Sequence, residues 1–243
     1  MSRFYISKDS VKGNIISITG SEAHHILDVM RLKKSDKVAV FDGTGIEYAG
    51  IIKETKPKSL RIEILETRAA DVNEKVKITL MQAIPKKEKM DYIVEKATEL
   101  GVASIAPLVT ERTIVRWDDE KKNASVERWR RIAREASKQC GRADIPEVGH
   151  IKDFDEIVKA KSAYGLSLIA ALSDDAAPIK EVLAGFKGKD IAIVIGPEGD
   201  FTPREIDLAE ACGFKTVNLG SRVLKSDTAG LVTLAILNYE YSN

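Results

Sequence analysis

Two glycine-containing turns in the last third of the chain carry residues suited to binding a ligand. The first, residues 196–200 (Gly-Pro-Glu-Gly-Asp), follows the apolar segment 191–195. Its glycines let the backbone approach a ligand closely, but its two carboxylates would repel a phosphate group. No Walker lysine follows these glycines, and no G-x-G-x-x-G motif lies near the first strand. The turn therefore favours a neutral or cationic ligand.

The second turn, residues 219–224 (Leu-Gly-Ser-Arg-Val-Leu), also follows an apolar segment, and residues 171–173 end a third one. In open α/β sheets, ligands bind outside the carboxyl ends of the strands. Leu219, Val223 and Leu224 would supply an apolar slot for adenine, and the acidic turn suits a sulfonium. S-adenosylmethionine combines both groups. Ordinary strand-to-helix turns remain the alternative interpretation.

The histidines and cysteines do not indicate a metal site. His24 and His25 are adjacent, so on a helix they point apart and cannot form a zinc pair. Cys140 has no evident histidine partner, and Cys212 is typical of helix packing. We therefore expect no metal.

Strands and helices alternate around these turns. The predicted strands are 76–84, 104–109, 167–172, 191–195 and 216–219, and the predicted helices are 88–100, 123–139, 203–212 and 227–241. Residues 202–205 (Thr-Pro-Arg-Glu) form a capping-box pattern with proline at the first helical position, and Gly101 is a helix stop. Continuously apolar strands between helices predict an α/β domain with a mainly parallel sheet covered on both faces.

The first 70 residues follow a different pattern. The predicted strands are 3–6, 14–19, 37–41, 47–54 and 60–66, and one helix from about 21 to 31 has Ser21 as its N-cap. Many short strands with turns between them predict a small β-barrel. The polar stretch 69–75 is the predicted linker. The predicted domains are therefore residues 1–70 and residues 75–243.

Composition indicates a globular, non-membrane protein. Of 243 residues, 44% are hydrophobic and 31% charged, and no apolar run approaches the roughly 20 residues that span a bilayer. The N-terminus lacks a signal-peptide core, and two cysteines form no disulfide framework, so we expect a reduced, cytoplasmic setting. Residues 121–142 hold eight basic and two acidic residues, a local net charge of +6 that would suit RNA phosphates or a solvated helix face.

Several longer motifs accompany the two turns. They are Arg-Phe-Tyr at 3–5, His25, Val-Met-Arg at 29–31, Asp-Gly at 42–43, Gln-Ala-Ile-Pro-Lys at 82–86, Lys-Met-Asp at 89–91, Glu-Lys-Ala-Thr-Glu-Leu-Gly-Val at 95–102, Thr-Glu-Arg at 110–112, Trp-Arg-Arg-Ile at 129–132, Glu-Ala at 135–136 and Gly-Arg at 141–142. With them, the chain resembles the 16S ribosomal RNA uridine-N3 methyltransferases (the RsmE family) of the SPOUT, or trefoil-knot, superfamily. The resemblance covers nearly the whole length.

Three positions depart from the family's usual pattern. Asp200 stands where a second glycine is usual, Lys225 where arginine is usual, and Asp227 where glutamate is usual. These changes affect the geometry of the methyl-donor loop rather than the reaction class.

The resemblance implies a C-terminal SPOUT trefoil-knot domain, an N-terminal PUA-like RNA-binding β-barrel, and a homodimer packed through the knotted domain. The nearly all-apolar helix 228–239 agrees with a dimer. The resemblance also implies S-adenosylmethionine as the cofactor. It implies ribosomal RNA, within an assembled small subunit, as the substrate. The cofactor-binding residues expected are Leu172, Ile195, Gly196, Pro197, Glu198, Gly199, Leu219, Gly220, Ser221, Val223, Leu224, Thr228 and Ala229. The RNA-binding residues expected are Arg3, Tyr5, Arg31, Arg112, Lys138 and Arg142.

The implied reaction moves a methyl group to N3 of a uridine, so N3 must lose its proton. Arg222 or Arg112 would stabilise the resulting imidate, and Glu198 or Asp227 would accept the proton. Because N3 lies on the Watson–Crick edge, the target base must be unpaired. The alternatives are a methyltransferase of the same superfamily that acts on a ribose 2′-hydroxyl or a tRNA base, and a non-catalytic RNA-binding assembly factor. A phosphate-using α/β enzyme is disfavoured by the acidic turn.

Overall fold

The computed structural model describes residues 3–69, 76–87, 89–115, 117–160 and 164–241. Contacts between residues divide the chain into two compact units. The first comprises Met1–Glu74 together with Arg134–Ile145, and the second comprises Lys75–Ala133 and Pro146–Asn243. Residues 134–145 therefore join the first unit, although they lie far from it in the sequence. Most of the predicted linker, 69–75, lies outside the described residues, so the domain boundary stays a prediction.

The first unit contains a six-stranded sheet in the order β1-β4-β5-β6-β3-β2. The strands are β1 (Arg3–Tyr5), β2 (Val11–Lys12), β3 (Ile15–Thr19), β4 (Lys37–Phe41), β5 (Ile46–Lys56) and β6 (Ser59–Ala69). Their pairing is antiparallel except between β1 and β4. Alternation explains the sheet's two faces: in β3, Ile16 and Ile18 are buried and Ser17 is exposed. The predicted small β domain is confirmed.

The helix of the first unit differs from its prediction. Helix α1 (Gly20–His24) continues directly into a π-helical segment, His25–Val29, and a 3-10 turn covers Lys8–Ser10. The prediction of Ser21 as the N-cap was wrong, because the helix begins at Gly20 and the extended Thr19 is its N-cap. Ala23 and Ile26 are fully buried, so they anchor this segment in the hydrophobic core.

The second unit is built on a parallel sheet in the order β10-β8-β7-β13-β11-β14-β12, with β9 paired to β8. The strands are β7 (Lys77–Ala83), β8 (Ser104–Val109), β9 (Glu147–Val148), β10 (Lys152–Asp153), β11 (Leu166–Ala170), β12 (Ala177–Pro178), β13 (Asp190–Ile195) and β14 (Lys215–Asn218). The helices that follow β7 are α2 (Lys89–Glu99), α3 (Asp119–Cys140), α4 (Phe154–Lys159), α5 (Ile179–Leu183), α6 (Pro203–Ala211) and α7 (Ser226–Tyr241). The predicted α/β class is confirmed.

Burial explains why the predicted strands were recognisable. Residues 191–195 in β13 are all buried, as expected for a central strand covered on both faces. The short elements β9, β10, β12, α4 and α5 were not predicted, because two to six residues do not establish a periodicity. Gly101 does end α2, and its φ of +84° is the left-handed conformation that favours glycine there.

Helix α7 packs against α2 and against strands β7 and β13. Ser226, Gly230, Thr233, Leu234 and Leu237 form its buried face. The opposite face is exposed, and Tyr239 is 86% exposed. Among the described residues, no helix is both long and apolar enough to cross a membrane, and no group of histidine, cysteine or acidic side chains is arranged to hold a metal ion.

The capping box of α6 is confirmed and also ties this helix to a neighbouring loop. Thr202 and Glu205 exchange hydrogen bonds between side chain and backbone. Glu205 is 1% exposed, and its second carboxylate oxygen accepts a hydrogen bond from the Glu111 amide, 2.9 Å away. Glu205 therefore satisfies backbone donors in two separate segments.

We expect the Glu205→Ala variant to lose about 2–3 kcal/mol of unfolding free energy, because it leaves the part-buried amide donors of Thr202 and Glu111 without their acceptor. Urea denaturation would measure the change. Asp207→Ala is the matched control: Asp207 is exposed on the same helix, and its loss should change the stability by less than about 0.5 kcal/mol. Equal effects of the two substitutions would contradict the structural role of Glu205.

Candidate functional site

A cavity of about 240 Å³ lies at the carboxyl ends of β11, β13 and β14. This volume is slightly below the range of about 300–1,000 Å³ that is usual for ligand pockets. The two glycine-containing turns and the end of β11 form its walls, as the sequence predicted. The lining residues are Ala170, Ala171, Leu172, Ile195, Gly196, Pro197, Glu198, Asp200, Val217, Asn218, Leu219, Gly220, Arg222, Val223, Leu224, Lys225, Ser226 and Ala229.

Most of the expected cofactor residues lie in this cavity. Gly199, Ser221 and Thr228 are the exceptions, since they do not line it. Of the expected catalytic residues, Arg222 and Glu198 line the cavity and Asp227 does not. Two apolar lining residues, Leu172 and Val223, are 64% and 74% exposed. Exposed apolar side chains in a concave site are typical of a binding surface for an apolar group such as adenine.

A buried glutamine joins the two turns. Gln82 at the end of β7 is fully buried, and its Nε2 donates to the Ser226 Oγ at 3.0 Å and to the Ala83 carbonyl at 3.0 Å. The Ser226 hydroxyl in turn donates to the Gly196 carbonyl at 2.5 Å. This chain of hydrogen bonds holds the start of α7 against the first turn. Gln82 and Ser226 are not among the site residues expected from the sequence, where a functional role and a helix-capping role for residues 226–228 were both left open.

Gly230 allows this arrangement because it leaves room for Gln82. A Cβ added at Gly230 would lie 2.8 Å from the Gln82 Oε1 atom, closer than real Cβ atoms come. That oxygen accepts no hydrogen bond from the described residues. The glycine therefore permits close approach of α7 to β7 where the glutamine is held.

The acidic residues of the site are paired differently from what the sequence suggested. Lys89 Nζ lies 3.1 Å from an Asp227 carboxylate oxygen and 3.7 Å from a Glu198 oxygen, so one cation serves both carboxylates. The hydrogen bond to Asp227, together with the charges of Asp227 and Glu198, raises the pKa of Lys89 above its ordinary value. Glu198 also accepts a hydrogen bond from the Lys86 amide at 3.1 Å.

Asp200 is the lining carboxylate that has no cationic partner among the described residues. Its Oδ2 accepts a hydrogen bond from the Leu172 amide at 2.9 Å, so the side chain bridges two walls of the cavity. Its φ of +59° lies in the left-handed region, which favours glycine and which aspartate tolerates better than most residues. This conformation explains why glycine and aspartate are both acceptable at position 200.

Arg112 supports the first turn from outside the cavity. Its Nη1 donates to the carbonyls of Gly199 and Phe201 at 2.8 and 3.1 Å. Arg112 does not line the cavity. Arg222 and Lys225 do line it, and neither forms an ion pair within the described parts of the chain. Arg222 is therefore better placed than Arg112 to stabilise a negative charge inside the cavity.

The expected RNA-binding residues of the first unit are partly engaged with neighbouring acids. Arg3 pairs with Glu47 at 2.5 Å and Arg142 pairs with Asp144 at 2.5 Å. Lys138, whose side chain is only 10% exposed, pairs with Glu22 at 2.7 Å. The Arg134 guanidinium lies over the Tyr5 ring, 4.7 Å from the centre of that ring. Arg31 is exposed, with a φ of 55°.

Acidic residues from outside residues 121–142 reduce the local charge of that segment. Asp91 pairs with Arg128, Glu22 with Lys138 and Asp144 with Arg142. The net charge of +6 counted along the sequence therefore overstates the field at this surface. Of these three basic side chains Arg128 is the most exposed, so its ion pair is the one that exchanges most readily for a phosphate group.

Family models match most of the chain. The model of an RNA methyltransferase domain matches residues 72–238, and that of an RNA methyltransferase PUA domain matches residues 18–65. Two similar relatives are called ribosomal RNA small subunit methyltransferase E. The relative from Bacillus subtilis is 28% identical over 99% of this chain and 97% of its own length. That from Synechocystis is 31% identical over 97% of this chain and 77% of its own.

Solved structures with a similar fold include two that contain S-adenosylmethionine. A putative methyltransferase from Legionella pneumophila in complex with this cofactor has a TM-score of 0.86 and 32% identity, over 98% of this chain and 97% of that one. The ribosomal RNA small subunit methyltransferase E from Neisseria gonorrhoeae, bound to S-adenosylmethionine, has a TM-score of 0.86 and 28% identity, over 99% and 98% of the two chains.

We expect Ser226→Ala to lower both stability and affinity for S-adenosylmethionine, because the Gln82 amide loses one of its two acceptors and the first turn loses its hydrogen bond to the start of α7. The loss should be about 1–3 kcal/mol of unfolding free energy and at least about fivefold in affinity measured by calorimetry. Thr233→Val is the matched control, since it removes another buried hydroxyl from α7, one that donates to the Ala229 carbonyl of the same helix and does not contact the first turn in the described part of the chain. The Thr233→Val variant should lower the stability and leave the affinity for S-adenosylmethionine unchanged. Normal cofactor affinity of Ser226→Ala would contradict the anchoring role.

Proposed function

The chain belongs to the family of RNA methyltransferases whose curated members are called ribosomal RNA small subunit methyltransferase E, and on that premise we propose that it transfers a methyl group from S-adenosylmethionine to N3 of a uridine in 16S ribosomal RNA. The observation that carries the proposal is the cavity at 196–200 and 219–225, which combines an exposed apolar slot with the unpaired carboxylate of Asp200. The apolar slot fits the adenine of S-adenosylmethionine, and the carboxylate fits its sulfonium.

The residues of the cavity suit this cofactor. Leu219, Val223 and Leu224 would hold the adenine, and Asp200 would face the positive charge. The cofactor supplies a methyl group that is already activated by its bond to a positively charged sulfur. The chain's contribution is to orient that group toward the base and to exclude water from it.

Deprotonation of N3 falls to groups at the mouth of the cavity. Arg222 lines the cavity without a partner in the described parts of the chain, so it would stabilise the imidate. Of the two candidate bases, Glu198 lines the cavity and Asp227 does not, so we assign the proton to Glu198. Lys89, which contacts both carboxylates, would hold Glu198 in place.

The first unit is proposed to position the RNA. It matches an RNA methyltransferase PUA domain, and in it Tyr5 lies close to Arg134 and Arg3 donates a hydrogen bond to the Arg142 carbonyl. Phosphate contacts by such side chains would make binding sensitive to salt. Arg31, Arg112 and Lys138 remain the other proposed RNA contacts. An assembled small subunit is the proposed form of the substrate, and the cytoplasm is the proposed setting.

We also propose that the chain forms a homodimer through α7 and that its C-terminal segment is knotted. The exposed face of α7 includes Thr228, Ala235 and Tyr239, and the Tyr239 side chain is 86% exposed. The contact of Ser226 with Gly196 places the loop before α7 against the first turn, as a knot would require.

Deletion of the gene and mass spectrometry of the nucleosides of 16S ribosomal RNA would test the proposal. N3-methyluridine should disappear, and expression of the intact chain should restore it, whereas Arg222→Ala should restore it much more slowly. Loss of a ribose-methylated nucleoside or of a modified tRNA base instead would favour one of the alternative substrates. Unchanged nucleosides, with no S-adenosylmethionine binding in calorimetry, would favour a non-catalytic factor.

We expect Asp200→Asn to weaken S-adenosylmethionine binding by roughly tenfold, because it removes a charge facing the sulfonium. Asparagine keeps an acceptor for the Leu172 amide and tolerates the left-handed backbone. S-adenosylhomocysteine, whose sulfur is neutral, should lose less than about threefold in calorimetry. Asp174→Asn, which alters an exposed acid outside the cavity, is the control. Equal losses for both ligands would assign Asp200 a role in loop position alone.

A further inference from the structure

A second cavity, of about 330 Å³, lies at the carboxyl ends of β7, β8 and β10. Its lining residues are Ile84, Val109, Thr110, Glu111, Thr113, Val115, Trp117, Lys122, Ile151 and Asp153. Nothing in the function proposed above uses this cavity. Its lining includes several aliphatic side chains, the aromatic ring of Trp117 and the ammonium group of Lys122.

Both cavities open on the same edge of the same sheet. The cavity proposed to bind S-adenosylmethionine is called the donor cavity below. In the strand order β10-β8-β7-β13-β11-β14, the donor cavity is centred on β11 and the second cavity on β8. Three strand spacings separate these strands, a distance of about 14 Å. A few nucleotides of an extended single strand would span that distance.

Arg112 lies between the two cavities. Its guanidinium is fixed to the carbonyls of Gly199 and Phe201, beside the donor cavity, while its neighbours Glu111 and Thr113 line the second cavity. The remaining guanidinium nitrogens leave Arg112 able to bind a phosphate group on a strand that runs from one cavity to the other.

Trp117 is held in place by its surroundings. Its ring centre lies 6.1 Å from that of Trp129, which is 2% exposed and donates its indole N–H to Asp91 at 3.1 Å. The Lys121 ammonium lies 5.7 Å from the Trp117 ring centre. A ring fixed in this way, with lysines beside it, suits a flat heterocycle that is linked to a phosphate.

The acids at the rim argue against a free phosphate as the ligand. Glu111 and Asp153 both line the cavity, and Lys122 is within 3.5 Å of Asp119. A carboxylate repels a phosphate that enters the cavity but accepts hydrogen bonds from the N–H groups of a base. The lining therefore fits a base inside and its phosphate outside.

We propose that this cavity binds an unpaired nucleobase of the RNA substrate that flanks the methylated uridine, with the base against Trp117 and a backbone phosphate on Arg112. The inference rests on the proposed function, because it concerns the same RNA. It adds a specificity subsite, separate from the donor cavity, that selects single-stranded RNA next to the target.

Steady-state kinetics on small ribosomal subunits from the deletion strain would test the subsite. We expect Trp117→Leu to raise the KM for subunits about tenfold, because one stacked base is lost. Its KM for S-adenosylmethionine and its kcat should change less than about twofold. Trp117→Phe keeps an aromatic ring, so its KM for subunits should lie close to that of the intact chain. If Trp117→Leu does not fold, Ile151→Trp, which fills the cavity from another wall, should raise the same KM.

Tryptophan fluorescence gives an independent measurement. The chain has two tryptophans, and Trp129 is buried. A short single-stranded RNA that spans the target should therefore quench the emission of the intact chain, and Trp117→Phe should abolish the quenching while the RNA still binds. Unchanged KM for subunits in both Trp117→Leu and Ile151→Trp would overturn the subsite. Failure of the intact chain to methylate any subunit would instead overturn the proposed function.

Discussion

The buried hydrogen-bond chain from Gln82 through Ser226 to Gly196 is the constraint on which the functional site depends. It joins the end of β7, the start of α7 and the first turn, three segments that are well separated in the sequence. Because Gln82 is fully buried, its amide has no water to replace a lost partner. The walls of the donor cavity therefore keep one relative position only while this chain of bonds is intact. Gly230 is part of the same constraint, since a larger residue would contact the glutamine.

Charge is distributed in the site so that one carboxylate is left for a cation. Glu198 and Asp227 share Lys89, and the raised pKa of Lys89 keeps that amine protonated far above neutral pH. Asp200 instead hydrogen-bonds a backbone amide. Within the acidic turn we therefore propose Asp200, rather than Glu198, as the residue that faces a positively charged ligand. The same sheet edge carries a second cavity, lined in part by Trp117 and close to Arg112, where we propose that a base of the RNA binds.

Local features were predictable from the sequence, and long-range ones were not. Strands Lys37–Phe41 and Ser104–Val109 were predicted to the residue, and the capping box at Thr202 was correct, because each depends on neighbouring residues. The turns of the donor cavity were also recognised, since glycine and acid spacing is local. The roles of Gln82 and Lys89 were missed, because their partners lie 144 and 138 residues away. For the same reason, the charge counted over 121–142 omitted Glu22 and Asp91, which neutralise part of it.

The 144-residue separation between Gln82 and Ser226 also constrains the order of folding. Closing so long a loop costs conformational entropy before the contact returns any energy, so such contacts form late. We expect strand β7 and the strands that pair with it to form before α7 reaches the glutamine. The donor cavity is therefore among the last parts of the second unit to assemble. Cofactor affinity thus reports whether the chain has finished folding, and a partly folded chain would hold no methyl donor near RNA.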